Sequence, residues 1–210
     1  MPTTITRIQK TRLGRFSLYG EEGFLFSLDS ETYFSCGVEE GDTLTDGDLA
    51  DLREKSDARK AKDKALQYLS LRLYGERELY DKLCLKFDGP TSAAAVAEMV
   101  RLELLDDARF AAQKAAWLKT RHKSRREAQR QLAEKGVDRN LIDEALDEVY
   151  GDGDEREEID RLIQRSYAAK LENGKRDAVY AALCRRGFAP RTVREALNDW
   201  ADAQQEGWDE

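Results

Sequence analysis

His122, the only histidine in the chain, stands between Arg121 and Lys123. No second histidine is present to complete a metal pair. No serine or cysteine stands in an order that would make it a nucleophile beside a histidine base. The sequence holds no GxxxxGK[ST] phosphate loop, no GxGxxG at a strand-to-helix turn and no HExxH. Cys36, Cys84 and Cys184 are odd in number and lack CxxC spacing, which argues against a disulfide framework or zinc ribbon and for a reducing, cytoplasmic compartment. Carboxylates abound, but a catalytic pair is legible only with geometry. The expectation is a protein that binds rather than catalyses, with no cofactor and no metal. An enzyme with an unrecognised carboxylate site is the remote alternative.

The chemistry that stands out is charge. Eight basic residues fall between positions 114 and 135, including Arg121, Lys123, Arg125, Arg126 and Arg130, opposed only by Glu127 and Glu134. Arg126 and Arg130 are one helical turn apart and face the same way. A second basic group includes Arg176, Arg185 and Arg186, and an acidic cluster runs from Asp143 to Asp160. Arginine forks suit carboxylates and phosphates alike. With a net charge of -7, the chain as a whole is not a generic nucleic-acid binder, so any basic site must be local. A solvated helix face with local ion pairs explains such a strip as readily as a docking surface does, and charge alone does not divide them.

The elements that must carry these residues are mostly helices. A charged fraction of 37% with three prolines fits amphipathic helices with wide solvated faces. Residues 1–56 read as a β-rich segment with short helices. Three short strands lie within residues 3–28, and Gly20-Glu21-Glu22-Gly23 forms a hairpin turn. Asp29 or Ser30 caps a short helix, and Thr45 caps the next. From residue 57 onward helical periodicity takes over, with Leu66, Leu69 and Leu73 as a first stripe and Thr91 or Ser92 capping a later helix. The N-terminus lacks an apolar signal core, and no run reaches the roughly 18 apolar residues of a membrane span.

One pattern recurs three times. Leu83-Cys84, Leu132-Ala133 and Leu183-Cys184 each end a helix. They are followed by Val96-Ala97-Glu98-Met99-Val100, Ile142-Asp143-Glu144-Ala145-Leu146 and Val193-Arg194-Glu195-Ala196-Leu197. Gly136 and Gly187 suit the left-handed position beyond a helix end, and Pro190 the first turn of the next. The fold expected is mainly α: three tandem three-helix repeats in an elongated array, at 57–105, 106–151 and 152–203, with a polar tail at 204–210. On this reading the pattern residues are core, and Cys84 and Cys184 are small buried hydrophobes.

Leu104-Leu105-Asp106-Asp107-Ala108-Arg109-Phe110-Ala111, the basic turn and Lys135-Gly136-Val137 resemble the RecX family. Tyr74-Gly75-Glu76-Arg77-Glu78-Leu79 looks like that family's first repeat, and Arg185-Arg186-Gly187-Phe188 its third. The resemblance covers about residues 60–200. One departure is Lys-Thr-Arg-His-Lys-Ser, where many members have a glycine near the end of the turn. The resemblance implies a regulator of the RecA recombinase that lodges along the RecA–single-stranded-DNA filament; a monomer is the default expectation, in the cytoplasmic compartment that the cysteines suggest. It would meet DNA through the filament and act in recombination, repair and the SOS response. Arg121, Lys123, Arg125, Arg126, Arg130, Arg176, Arg185 and Arg186 are the expected contacts. A stand-alone DNA-binding protein of three-helix type and a helical scaffold for another acidic protein remain as alternatives.

Overall fold

A computed structural model describes residues 2–151 and 153–206, the side chains of residues 205 and 206 excepted. Asp152 and most of the expected polar tail, with Trp208, lie outside the described residues. The chain forms two compact units, Met1–Asp106 and Asp107–Glu210.

The first unit opens with β1 (Thr3–Thr4), β2 (Arg7–Lys10), β3 (Phe16–Gly20) and β4 (Gly23–Leu28). β2, β3 and β4 form an antiparallel sheet in that order. β1 pairs instead with β5 (Thr43–Leu44), a short pairing without the alternation that betrays a strand. The Glu40 carboxylate accepts the Ile8 N–H at 2.6 Å and blunts the free edge of β2. Helix α1 (Ser30–Cys36) is capped by Asp29, which accepts from the Thr32 N–H, and ends on Gly37 in the left-handed conformation. One face of the sheet buries Leu18, Phe26 and Leu28 against Ile5, Val38 and Leu52.

Leu52 lies on α2 (Asp46–Leu69), capped by Thr45 in a reciprocal capping box with Asp48. This helix runs unbroken through position 57, where the sequence suggested a new module, because it serves two cores. Its first half packs on the sheet, while Ala61 and Ala65 enter the first repeat with Leu79 and Leu83 of α3 (Glu76–Cys84) and Ala95, Val96 and Met99 of α4 (Gly89–Arg101). The buried alanines let α2 and α4 approach closely; Leu66, expected on the stripe, is exposed. Glu98 of α4 accepts from Lys62 at 2.9 Å and from Arg101 at 2.7 Å, and these bonds hold its carboxyl down at about 2.

Two expectations need correction here. Asp88, not Thr91 or Ser92, caps α4, accepting the Thr91 N–H at 2.7 Å. Gly89-Pro90 thus begins the helix, where the missing proline donor costs nothing. Ser92 is buried instead. Cys84 is exposed and Cys184 half-buried. In each repeat the preceding leucine takes the core position, and the next residue lies about 100° around the helix.

The second unit holds two repeats. The first comprises α5 (Asp107–Thr120), α6 (Arg125–Glu134) and α7 (Arg139–Tyr150). As the periodicity predicts, Phe110, Ala111, Ala115 and Leu118 of α5 are buried, with Leu132, Ile142, Ala145 and Leu146. The next repeat begins with α8 (Glu155–Leu162), which passes through a π-helical turn (Ile163–Tyr167) into α9 (Ala168–Glu172). Ile159, Ile163, Tyr167 and Leu171, all four apart, line the same core. In a regular helix, four-residue steps drift by about 40° each. The wider turn offsets this drift and keeps all four residues inward. α10 (Arg176–Arg185) and α11 (Pro190–Glu206) complete the bundle, with Phe188, Val193, Ala196 and Leu197 in its core.

Candidate partner-binding surface

Except for Arg176, which opens α10, the expected basic residues of the second unit lie on the two elements that meet between its repeats. α5 ends in a six-to-one closure, the Lys123 N–H donating to the Leu118 carbonyl at 3.1 Å. His122 takes the left-handed position, with φ 52°. Histidine thus stands where glycine is favoured, and the basic turn keeps the helix-ending geometry without one. Ser124 follows and caps α6, accepting the Glu127 N–H at 3.2 Å.

This turn seats the end of α10. The Ser124 N–H donates to the Arg186 carbonyl at 2.9 Å. The Lys123 Nζ donates to the Arg185 carbonyl at 3.0 Å, and an Arg186 Nη1–H to the Arg121 carbonyl at 3.4 Å. Gly187, at φ 94°, lies so close that a Cβ there would stand 2.3 Å from the Glu127 Cβ and 2.6 Å from the Ser124 Oγ. Arg185 and Arg186 are therefore held beside the first basic group, while Arg176, at the far end of α10, is not brought to the turn.

Not all of these cations face outward unpaired. Arg125 donates to Asp147 at 2.5 Å. Arg130 binds Glu127 at 2.8 and 2.9 Å and also pairs with Glu134. These carboxylates raise its pKa, and Arg130 holds the Glu127 carboxyl at about 2. Arg176 is tied to Asn198. Lys123 and Arg186 are the inter-repeat ties. Arg126 and Arg185, both exposed, have no side-chain partner among the described residues.

The sequence reading missed Trp117. It is 47% exposed on α5, with the Lys114 Nζ 4.3 Å and the Arg121 guanidinium 4.7 Å from its ring. The i−3 and i+4 spacing of two cations around a tryptophan was the available signal. On the other side of the turn, a cleft of about 880 Å³ opens between α6 and α8, flanked by Arg126, Arg161 and Arg165. Glu158 lies in it, its carboxyl pushed up by burial against the pull of Arg161, His122 and Lys119.

Among the described residues no group of three or more histidine, cysteine or acidic side chains is placed to hold a metal, and no helix is long and apolar enough to cross a membrane.

These features define a class: a tandem three-helix-repeat protein with a small N-terminal sheet and a cationic junction between two repeats. Residues 61–99 match the profile of the first three-helix domain of RecX, and residues 106–146 that of the second. The chain is 26% identical to the regulatory protein RecX of Caldanaerobacter subterraneus subsp. tengcongensis, over 92% of this chain and 98% of that protein. It is also 26% identical to the regulatory protein RecX of Staphylococcus aureus strain JH9, over 97% of this chain and 76% of that one. In fold it is similar to a crystal structure of regulatory protein RecX, with a TM-score of 0.60 at 21% identity over 94% of this chain and 99% of that one. A crystal structure of RecX from Lactobacillus salivarius gives 0.52 at 22% identity, over 68% of this chain and 96% of that one. The chain is thus similar to the RecX family in its two matched three-helix domains and along most of its length.

Proposed function

We propose that this protein regulates a RecA recombinase by binding the RecA–single-stranded-DNA filament, and that it mostly inhibits recombination, ATP hydrolysis and co-protease activity in DNA repair. The observation that carries the reading is the tandem of RecX three-helix domains at residues 61–99 and 106–146. A modular array suits a repeating partner, because contacts joined in one body gain by effective concentration. On this proposal the protein works as a cytoplasmic monomer and meets DNA at the filament.

The basic junction is the contact surface we assign. Arg126 and Arg185 supply charge not spent within the fold, and Trp117 with Arg121 supplies an aromatic anchor of the kind that dominates interfaces. Arg125, Arg130 and Arg186 shape that surface through their internal partners, Lys123 holds the repeats together, and Arg176, bound to Asn198, lies outside it. The test is filament binding by the double variant Arg126→Glu, Arg185→Glu. Weakened binding with an unchanged helical circular dichroism signal supports the assignment. Unaltered binding and inhibition would sink it.

A further inference from the structure

One row of residues on the outer face of the N-terminal sheet takes no part in the core. The register sets Arg7 of β2 opposite Tyr19 of β3, and Tyr19 opposite Phe24 of β4. The Arg7 guanidinium lies 4.1 Å from the centroid of the Tyr19 ring. Tyr19 and Phe24 meet edge to face, with centroids 5.7 Å apart. None of the three belongs to the core on the opposite face, which takes Leu18, Phe26 and Leu28. A lone exposed phenylalanine requires no explanation. Phe24, 61% exposed, instead completes a cation–aromatic–aromatic row across three strands. A bulge between Leu18 and Tyr19 places it there by bringing Tyr19 opposite Phe24 rather than Leu25.

The charge around this row is also unlike the rest of the chain. Residues 1–20 contain Arg7, Lys10, Arg12 and Arg15 and no acidic residue, in a protein of net charge -7. Arg15 is spent on the Ser27 carbonyl, to which it donates at 2.5 Å; Arg7, Lys10 and Arg12 are exposed. The nearest acids on the sheet lie at its margins. Glu40 is committed to the Ile8 N–H. Glu21 and Glu22 occupy the β3–β4 turn beyond Phe24, which leaves the β2 side as the positive one.

We propose that this face binds single-stranded nucleic acid, with bases laid on Tyr19 and Phe24 and the phosphate backbone running along β2 past Arg7 towards Arg12 in the turn that follows. Aromatic faces take any base, and arginine both stacks and pairs with phosphate. A peptide added as a strand along β2 is disfavoured, because Glu40 already occupies the Ile8 donor on that edge. The site is independent of the recombinase and of the basic junction in the second unit.

The test uses the full chain and a fluorescein-labelled oligodeoxythymidylate, read by anisotropy at low salt with no recombinase present. The wild type binds, with affinity falling as salt rises. Phe24→Ala weakens binding about tenfold, as expected for one lost stacking contact. Arg7→Ala weakens it and lowers the salt slope by about one. Phe24→Tyr binds as the wild type does, and circular dichroism is unchanged throughout. No binding by the wild type, or wild-type binding by Phe24→Ala, would each overturn the proposal.

Discussion

Gly187 faces Glu127 so closely that a methyl group on the glycine would stand 2.3 Å from the glutamate Cβ. Glycine is needed there twice: for its φ of 94° and for the approach of α10 to the start of α6. Gly187→Ala is therefore expected to destabilise the second unit by about 2–4 kcal/mol, the combined scale of backbone strain and overpacking. Urea unfolding followed by far-ultraviolet circular dichroism checks it.

His122 offers the opposite case. Its left-handed conformation, at φ 52°, strains any side-chain-bearing residue, and its own backbone closes the end of α5. His122→Gly should stabilise by about 0.5–1 kcal/mol after allowance for the extra freedom glycine gives the unfolded chain. A lower melting temperature would show that the imidazole holds the turn in some other way.

Glu127 makes the junction sensitive to acid. Arg130 and Gln131 hold its carboxyl at about 2, below the ordinary value of 4.5. A carboxyl depressed by folding contributes stability above the unfolded pKa, and the contribution is lost as pH falls through the folded one. The urea midpoint of the wild type should exceed that of Glu127→Gln at pH 7, and the gap should close between about pH 4.5 and 2. A gap independent of pH would assign the role of Glu127 to packing on Gly187.

Much of this fold is legible in the sequence, because amphipathic stripes and caps are local signals. The recurring pattern alone puts Val96, Ile142 and Val193 in the core, where they are found, and turn chemistry points to Asp29, Thr45 and Gly136 as helix-end residues. The misreadings have a common origin in contacts between elements. Leu66 lost its place to Ala61 and Ala65 because close packing of α2 on α4 favours small residues. The π-helical turn answers a core geometry that four-residue spacing only hints at. At the junction, spacing identified the cations, but it did not separate Arg126 from Arg130, four residues away and held by Glu127 and Glu134.

That separation yields a contrast between single variants. Arg130→Glu should lower the urea midpoint, since it sets three acids together on α6. Arg126→Glu should leave the midpoint unchanged and act on partner binding. Trp117→Ala, on the exposed face of α5, should weaken filament binding about tenfold, the scale of an interfacial anchor, with the fold intact. Equal stability of the two arginine variants would contradict the ion-pair assignment.

Regulation of a recombinase filament by this protein is open to titration of the full chain into a RecA–single-stranded-DNA ATPase assay. Steady-state hydrolysis should fall progressively as the protein is added. An unchanged rate at several-fold molar excess over RecA would contradict the account.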